Sequence, residues 1–265
     1  MIDWLEVCRD AAADVDAVLA DLPTRAEREP VLRLGEGGDE TTAIDAAAEE
    51  AVIARLRELD TPLTVVSEEI GELELGGPGG PRVVVDPIDG SLNAKRGIPF
   101  FSLSLAVADG PAMRDVRYGY VFDFGAREEW TAERGVGAWL DGEPLGAERP
   151  KDRLEILSFE ATETSFVVDK AAAMTGVAHR LRIMGSLAIS LCHLAAGRVD
   201  GVCSLKPARS VDIAAAQLLV RECGLAIELF ESPPFADAPL DLLPRSRVVA
   251  AGTRELCAGL AEALR

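Results

Sequence analysis

The first 145 residues combine helical and strand-like spacings of apolar side chains. A helical spacing predicts a helix that Asp3 caps and that continues to about Leu22, and a second helix that begins near Asp45. Shorter apolar runs bounded by turn residues predict strands at 63–66, 83–85, 101–107, 116–122 and 129–132. Because turns separate most of these strands, we expect helices packed on an antiparallel sheet.

From about residue 146 onwards, predicted strands and helices alternate. The strands are predicted at 154–158, 181–184, 201–205, 226–230 and 248–251. The helices are predicted at 169–175, 186–196, 212–223 and from Thr253. Such alternation indicates an α/β layer. We therefore expect an α+β half over 1–145 and an α/β half over 146–265.

The chain of 265 residues has a formal net charge of −18, and four lysines stand against 23 arginines. Nucleic acid is not expected as a partner, because a phosphate backbone requires a basic surface. Abundant acid and scarce lysine lead to the hypothesis of a halophilic protein, whose charged surface stays hydrated in concentrated salt. A GC-rich genome is the alternative, and it explains the arginine better than the acid.

The five cysteines are scattered, and no two of them have the Cys-x-x-Cys spacing of a zinc or redox site. This pattern is typical of a reducing compartment. The N-terminus lacks the basic and apolar regions of a secretory signal. No apolar run approaches the roughly 20 residues that a membrane span needs. We expect a cytoplasmic protein with no membrane partner.

The motif most informative about chemistry is Val-Val-Val-Asp-Pro-Ile-Asp-Gly-Ser, at 83–91. Its three valines predict a buried strand that ends in Asp86 and Asp89. Gly90 and Ser91 follow, with backbone N–H groups that could face an anion. Two carboxylates in this setting suit cations that hold a phosphate. The alternative is an acidic turn, since Asp-Pro and Asp-Gly are common turn pairs.

Three further acidic residues lie at predicted ends of strands or starts of helices. Glu68 follows the 63–66 strand, whereas Asp45 and Asp212 begin helices. The alternative role for the two helix residues is N-capping, which stabilises a helix by about 1 kcal/mol. Carboxylates without clustered His or Cys favour Mg²⁺ or Mn²⁺ over zinc. The set therefore predicts a magnesium site.

Seven segments match, in order, motifs of one enzyme superfamily. They are G-D-E-T-T-A-I-D (38–45), S-E-E-I-G (67–71), V-V-D-P-I-D-G-S-L-N (84–93), G-I-P-F-F-S (97–102), E-E-W-T-A-E-R-G-V-G-A-W-L-D-G (128–142), R-I-M-G-S-L-A-I-S-L-C (182–192) and S-V-D-I-A-A-A (210–216). The chain resembles the inositol monophosphatase/fructose-1,6-bisphosphatase superfamily. The resemblance is greatest to its archaeal branch, whose members dephosphorylate both inositol monophosphate and fructose 1,6-bisphosphate. The resemblance implies a layered αβαβα fold, a magnesium-dependent phosphatase, an active site between the two halves, and a homodimer.

The resemblance also implies two principal metal positions. Glu68, Asp86 and the carbonyl oxygen of Ile88 would hold the first Mg²⁺. Asp86, Asp89 and Asp212 would hold the second, and Mn²⁺ is a possible substitute. Sharing of Asp86 would keep the two ions close together.

A third ion and the attacking water complete the implied site. Asp39, on a glycine-rich loop, would help Glu68 to hold the weaker third ion. Ser91 and Asp45 would orient and deprotonate the water. Glu68 and these two residues form the catalytic set that the resemblance implies.

The substrate contacts that the resemblance implies are Asp89, Gly90, Ser91, Gly185, Ser186 and Ala188. Leu205 stands where inositol-selective members have an acidic residue. Lys206 and Arg209 lie between it and Asp212, and we expect them to bind a second phosphate. This would favour fructose 1,6-bisphosphate over inositol 1-phosphate. The alternative is that both are ordinary surface bases.

Three other interpretations remain open. A haloacid-dehalogenase-type phosphatase also has aspartates after a strand, but here two residues separate Asp86 from Asp89, which would misplace its nucleophile and acid. Within the resembled superfamily, 3′-phosphoadenosine 5′-phosphate or NADP is an alternative substrate. A non-catalytic acidic metal-binding protein is the alternative from another class.

Overall fold

The computed structural model describes residues 2–38, 40–147, 151–160, 163–231, 234–243 and 246–265. Asp39, the predicted ligand of a third ion, lies outside the described residues. The helices of the first half are α1 (Trp4–Asp21), α2 (Arg25–Arg28), α3 (Ala43–Arg57) and α4 (Ser91–Arg96). The strands of the first half are β1 (Val31–Leu34), β2 (Glu40–Thr42), β3 (Leu63–Ser67), β4 (Gly71–Leu75), β5 (Arg82–Asp89), β6 (Ser102–Ala108), β7 (Val116–Asp123), β8 (Glu128–Glu133), β9 (Gly137–Leu140) and β10 (Glu143–Pro144).

The second half alternates strands and helices, as its sequence pattern predicts. The strands are β11 (Leu154–Glu160), β12 (Ala178–Arg182), β13 (Gly201–Ser204), β14 (Ala226–Leu229) and β15 (Val248–Ala251). The helices are α5 (Thr164–Ala171), α6 (Leu187–Ala195), α7 (Ser210–Glu222) and α8 (Arg254–Leu264).

The larger sheet has eight strands in the order β10-β9-β8-β7-β6-β5-β3-β4. All neighbouring strands are antiparallel except β3 and β5, which run parallel. The expectation of an antiparallel sheet is therefore correct for every pair but one. The parallel pair brings the carboxyl ends of β3 and β5 to the same edge of the sheet.

The smaller sheet has five strands in the order β12-β11-β13-β15-β14. Its β12, β11 and β13 are parallel, whereas β15 is antiparallel to both β13 and β14. The sheet is thus mixed, with a parallel portion built by strand–helix–strand crossovers. The carboxyl ends of β11 and β13 meet at one edge, where Glu160 pairs with Ser204.

Three hydrophobic cores arrange the elements in five layers. The first core joins α1 and α3 to the larger sheet, and the last joins α8 to the smaller sheet. The middle core contains residues of α6 and α7 together with residues of both sheets, such as Val84 and Val202. The order is therefore helices, sheet, helices, sheet, helices, which confirms the αβαβα fold class. A domain boundary near residue 145 stays a prediction.

Helix α7 lies at the centre of the molecule, with eleven of its 13 residues buried. It lies so close to β7 that a Cβ on Gly119 would be 2.6 Å from the carbonyl oxygen of Ala215. Apolar residues on nearly every face make α7 a buried helix rather than a surface one. None of the helices in the described ranges combines the length and the apolar character that crossing a bilayer requires.

Several elements differ from the sequence predictions. The β1–β2 pair and the strands β4 and β9 were not expected. Strand β1 is exposed and has no core-facing side, whereas β4 alternates glutamates with apolar residues, a strand pattern that was not recognised. Helix α5 begins at Thr164, five residues before the predicted start. It has no buried residue, so no core-facing stripe marks it in the sequence. Strand β12 is also largely exposed and begins at Ala178 instead of 181.

Candidate active site

Asp86 and Asp89 lie at the end of β5, and both are buried. Residues three apart on a regular strand would face opposite sides of the sheet. Here β5 pairs with β6 through Asp86↔Ser104 and Asp89↔Ser102, so three steps along β5 match two along β6. This one-residue bulge lets both carboxylates face the same side. Both of them line one cavity.

The parallel pairing of β3 with β5 brings Glu68 beside Asp86. Ser67 is opposite Val85 in the register, so Glu68 and Asp86 are the next residues on two adjacent strands. Asp212 reaches the same place from the first turn of α7. One carboxylate oxygen from each of Glu68, Asp86 and Asp212 lies within 4.8 Å of the other two.

Asp89 is fixed by the start of α6. Its Oδ2 accepts hydrogen bonds from the hydroxyl of Ser186 at 2.5 Å and from the backbone N–H of Ala188 at 2.8 Å. The expected substrate contacts Ser186 and Ala188 thus bind a carboxylate of the site. Since Asp89 belongs to β5 and α6 packs between the sheets, these bonds join the two halves of the molecule.

Burial and mutual repulsion oppose ionisation of the clustered carboxyl groups. Burial is the largest cause, and it raises the pKa of Glu68 to about 7 and that of Asp89 to about 7. It also raises the pKa of Asp86 well above its usual value, and repulsion by Glu68, Asp89 and Asp212 adds to this effect. The group therefore needs positive charge nearby if all its members are to be ionised.

Part of that positive charge comes from Arg209. Its Nη2 lies 2.7 Å from Oε1 of Glu68 and 3.1 Å from Oδ1 of Asp212, and its side chain is only 9% exposed. A Cβ on Gly37 would come within 2.8 Å of Nη1, so the loop before β2 packs against the guanidinium. Arg209 is therefore not an ordinary surface base, and it contacts the carboxylates that are expected to bind metal.

Asp45 has one anchored oxygen and one oxygen without a partner. Oδ2 accepts from the backbone N–H of Thr42 at 3.0 Å and from its hydroxyl at 2.5 Å, which caps α3. Lys95 Nζ lies 3.3 Å from the same oxygen. Oδ1 is buried and has no hydrogen-bond partner among the described residues. Asp45 and Ser91 line the same cavity, and the Ser91 hydroxyl donates to the carbonyl of Ile88 at 3.0 Å.

Glu49 holds the turn that presents Glu68. Its Oε1 accepts from the hydroxyl of Ser67 at 2.6 Å and from the backbone N–H groups of Glu69 and Ile70 at 3.1 and 3.2 Å. Sequence reasoning missed this residue, because it lies in the middle of α3 and its partners follow a strand about 20 positions later. A buried glutamate at a core-facing helix position was the available signal.

Gly90 makes a close turn possible beside Asp89. Its φ is +93°, and a Cβ there would be 3.1 Å from the carbonyl oxygens of Gly185 and Phe100. Asn93 holds the same three segments together, since its Nδ2 donates to the carbonyls of Phe100 at 2.8 Å and Met184 at 2.7 Å. Gly90, Ser91 and Gly185, which are expected substrate contacts, all line the cavity.

The cavity has a volume of about 330 Å³, which suits a small phosphorylated molecule. One wall carries Asp45, Glu68, Asp86, Asp89 and Asp212. The second half of the chain contributes Glu160, Gly185, Leu187, Ser204, Lys206 and Ala208. Lys206 therefore lies where it was expected. Glu160 and Lys95 were not identified from the sequence, although Glu160 ends a strand and Lys95 is one turn after Ser91.

A second group of possible ligands lies outside the cavity and includes Asp123, Glu128 and His193. Arg198 already forms two hydrogen bonds with Glu128, at 2.6 and 2.7 Å, and lies over the ring of Trp130. Burial lowers the pKa of His193 to about 4. Because Arg198 already pairs with Glu128 and the group lies outside the cavity, we do not assign a metal to it.

The cavity group fits a hard divalent cation. All its donors are oxygens, which is the chemistry that Mg²⁺ and Mn²⁺ prefer. Asp86 from β5, Asp212 from α7 and Glu68 from the end of β3 converge within 4.8 Å, and Asp89 lines the same cavity. The division of these residues between two ions stays a prediction. The buried, unpartnered Oδ1 of Asp45 can also accept a proton or a hydrogen bond from a molecule in the cavity.

Comparison with known proteins agrees with this geometry. The family model described as "Inositol monophosphatase family" matches residues 5–265. A relative from Methanothermobacter thermautotrophicus, named fructose-1,6-bisphosphatase/inositol-1-monophosphatase, is 32% identical over 96% of this chain and 93% of its own. A protein of Pasteurella multocida named Nus factor SuhB is 36% identical over 70% of each chain.

A solved structure has the same fold over the whole chain. The crystal structure of an inositol monophosphatase–fructose 1,6-bisphosphatase superposes with a TM-score of 0.85 at 25% identity, covering 99% of this chain and 100% of that one. Sequence and structure therefore agree on the assignment. The chain belongs to the inositol monophosphatase family.

Proposed function

We propose that this protein is a magnesium-dependent phosphomonoesterase that hydrolyses a small sugar or polyol phosphate. The observation that carries the proposal is the convergence of Glu68, Asp86 and Asp212 within 4.8 Å, in a cavity that Asp89 also lines. Family membership and the phosphatase names of the archaeal relatives support it.

Two principal Mg²⁺ ions would share the ligands that the chain supplies. Glu68, Asp86 and the carbonyl of Ile88 would hold one ion, while Asp86, Asp89 and Asp212 would hold the other. When bound, Mg²⁺ would neutralise phosphoryl oxygens and make a nearby water more acidic. A third, weaker ion would use Glu68 together with Asp39.

The proton of the attacking water would go to Asp45. Oδ1 of Asp45 is the available acceptor, since it has no hydrogen-bond partner in the described part of the chain, whereas Thr42 and Lys95 contact Oδ2. The Ser91 hydroxyl would rotate from the Ile88 carbonyl to relay this proton and to orient the water. The water oxygen then forms a bond to phosphorus as the ester P–O bond breaks, and the leaving alkoxide takes a proton from solvent. No phosphoenzyme forms.

Fructose 1,6-bisphosphate and inositol 1-phosphate are the substrates we favour. Lys206 and Arg209 both line the cavity, and together they would bind a second phosphate. Because Arg209 contacts Glu68 and Asp212, its removal would also disturb the metal ligands. Lys206→Ala is the cleaner test, and it should raise KM for the bisphosphate much more than for a monophosphate. Equal changes would reject this role.

The setting in which the enzyme works is also part of the proposal. We infer a homodimer in a cytoplasm rich in salt, from the resemblance and from the net charge of −18. Light scattering at 0.2 and 2 M KCl would measure the assembly. A monomer at both concentrations would reject the dimer.

Release of phosphate measured with and without Mg²⁺ tests the proposed activity. The wild type should release phosphate only with the metal, and Asp86→Asn should abolish release. If the wild type releases no phosphate with Mg²⁺, and Asp86→Asn therefore does not differ from it, a non-catalytic metal-binding protein would be favoured. An acyl-phosphate trapped on the protein would favour the haloacid-dehalogenase mechanism. Including 3′-phosphoadenosine 5′-phosphate and NADP in the substrate panel tests the remaining alternatives.

A further inference from the structure

Glu160 is a buried carboxylate on the cavity wall that has no place in the proposed metal set. It ends β11, is 6% exposed and lines the cavity. Its backbone carbonyl accepts from the N–H of Leu205 at 2.8 Å, and it pairs with Ser204 on β13. Glu160 therefore lies beside the segment that leads to Lys206.

The two oxygens of Glu160 have different surroundings. Oε1 accepts from the hydroxyls of Ser158 at 2.7 Å and Ser190 at 2.8 Å, and from the N–H of Met184 at 3.4 Å. Oε2 accepts one hydrogen bond from the described residues, from the N–H of Gly185 at 2.9 Å. A carboxylate oxygen can accept about two hydrogen bonds. Oε1 is thus satisfied, and Oε2 has one acceptor position left.

The position of Glu160 relative to the metal carboxylates suggests what fills that acceptor position. Gly185 donates to Oε2 of Glu160 at 2.9 Å, and the next residue, Ser186, donates to Oδ2 of Asp89 at 2.5 Å, so consecutive residues connect the two carboxylates. Glu160 is outside the group of oxygens that lie within 4.8 Å. Glu160, Gly185 and Ser204 line the same cavity as the metal carboxylates, so the ester group of a phosphate bound at those carboxylates can reach them.

We propose that Oε2 of Glu160 accepts a hydrogen bond from a hydroxyl of the substrate's polyol portion and so selects hydroxylated phosphate esters. This inference rests on the proposed function. A hydroxyl group donates to a carboxylate, whereas an aryl or alkyl group would leave the charged oxygen buried without its second partner. The carboxylate rejects such groups more strongly than it attracts a hydroxyl, which makes it a determinant of specificity.

The bonds on Oε1 make the carboxylate rigid. Ser158 precedes Glu160 by two residues on β11, and Ser190 is on α6, so the two hydroxyls hold it from a strand and a helix. The Gly185 N–H aligns Oε2 in turn. A preorganised acceptor loses little entropy when a hydroxyl binds.

The test compares two substrates on two variants of the full chain. Glu160→Gln removes the charge but keeps the shape, and Glu160→Met removes the acceptor. We expect KM for inositol 1-phosphate to rise about tenfold in the first and up to about a hundredfold in the second. KM for p-nitrophenyl phosphate, which has no hydroxyl, should fall several-fold in both variants, because the buried charge that rejects the aryl group is gone. The Ki of inorganic phosphate as a product inhibitor should not change.

Ser190→Ala is the matched control, since it removes a donor to Oε1 and leaves Oε2 intact. Because it loosens Glu160 but keeps the acceptor, it should raise KM for inositol 1-phosphate by less than about threefold and leave KM for p-nitrophenyl phosphate unchanged. Glu160→Gln keeps the inference testable if Glu160→Met does not fold, and a thermal melt identifies that case. Equal effects of Glu160→Gln on the two substrates would overturn the inference alone. A wild type without any Mg²⁺-dependent phosphate release would overturn the proposed function, and this inference with it.

Discussion

Each aspartate of the site uses one carboxylate oxygen to accept a hydrogen bond from a backbone N–H group. Oδ2 of Asp45 and Oδ2 of Asp212 accept from backbone N–H groups before their helices, at 3.0 and 2.6 Å. Oδ1 of Asp86 accepts from the N–H of Ile88 at 2.9 Å, and Oδ2 of Asp89 accepts from Ala188 at 2.8 Å. The second oxygen of each carboxylate is then oriented by the first. The hydrogen bond at the helix start therefore leaves one oxygen of Asp45 for its proposed role as base and one oxygen of Asp212 for its proposed role as metal ligand.

Asp45→Asn tests this division of the oxygens. The amide can still cap α3 but does not accept a proton, so we expect kcat to fall by about 10²- to 10⁴-fold. Mn²⁺ binding, measured by calorimetry, should stay within a few-fold of wild type. Thr42→Val is the control, because it weakens the cap by about 1 kcal/mol and leaves Oδ1 unchanged. Similar kcat values for Asp45→Asn and wild type would exclude Asp45 as the base.

Arg209 should compete with divalent ions for Glu68 and Asp212. Replacing it by Met removes a buried positive charge, so the remaining carboxylates should bind Mn²⁺ several-fold more tightly. The metal-free variant should melt at a lower temperature, because the carboxylates lose a partner. Calorimetry and thermal melts measure the two effects. The control is Lys206→Met, which removes another cation of the same cavity. Weaker Mn²⁺ binding by Arg209→Met than by the wild type would contradict the expectation.

The raised carboxyl pKa values predict how the metal-free protein responds to pH. In the folded state the pKa of Glu68 and that of Asp89 are about 7, above the ordinary 4.5 and 3.8. At pH values between the ordinary and the raised pKa values, the folded state binds more protons than the unfolded state. The free energy of unfolding therefore decreases as the pH rises toward 7. The melting temperature without metal should therefore be higher at pH 5.5 than at pH 8.

Saturating Mg²⁺ should weaken or reverse the fall of the melting temperature between pH 5.5 and pH 8, because the bound cation takes the place of the protons on the carboxylates. Asp89→Asn should reduce the slope in the metal-free protein by removing one titrating group. Melting curves in EDTA and in Mg²⁺ across this pH range measure both effects. A metal-free melting temperature that rises steadily from pH 5.5 to pH 8 would contradict the account.

At the scale of elements, two features of β5 create the site. The bulge between Asp86 and Asp89 sets both carboxylates on one side, and the parallel alignment with β3 supplies Glu68. Neither feature is visible in a single strand's sequence, because register depends on the neighbouring strand. The Asp-Pro-Ile-Asp-Gly pattern nevertheless indicated the chemistry. The chain's own pattern thus indicated carboxylates that converge in the structure, and strand pairing determined how they meet.

Local pattern also explains which elements were predicted well. Helices α1 and α7 have strong apolar faces, and their predicted bounds are within two residues of the observed ones. Exposed elements such as α5 and β12 have no core-facing stripe and were misplaced. Contacts between distant segments, such as Arg209 with Glu68, were not predictable because no local pattern encodes them. The sequence therefore did not predict that the Arg209 guanidinium contacts the carboxylates of the site.

The close contact between α7 and β7 offers a test at this scale. Gly119→Ala would place a Cβ 2.6 Å from the carbonyl oxygen of Ala215, so α7 must shift. We expect a loss of about 1–3 kcal/mol in the free energy of unfolding, with weaker Mn²⁺ binding because Asp212 moves with α7. Gly259→Ala in α8 is the control, since nothing lies within 4 Å of its added Cβ. Wild-type stability and Mn²⁺ affinity in Gly119→Ala would show that the packing is less rigid than described.

At the scale of the whole molecule, the active site lies where elements of both sheets and the middle helices meet. The same molecule carries a net charge of −18, so its acidic groups repel one another in dilute buffer. Concentrated salt screens this repulsion over distances longer than about 3 Å at 1 M. We expect the melting temperature and the phosphatase activity to rise between 0.1 and 2 M KCl. Insensitivity of both to salt would remove support for the halophilic hypothesis.

Anomalous diffraction from crystals grown with Mn²⁺ and phosphate would locate the ions without assuming any activity. We expect two strong peaks in the cavity, one between Glu68 and Asp86 and one among Asp86, Asp89 and Asp212, with phosphate bound to both. The Arg209 guanidinium should then have left Glu68. Peaks confined to other sites, such as Asp123 and His193, or none at saturating Mn²⁺, would contradict the assignment of a metal-dependent phosphatase site.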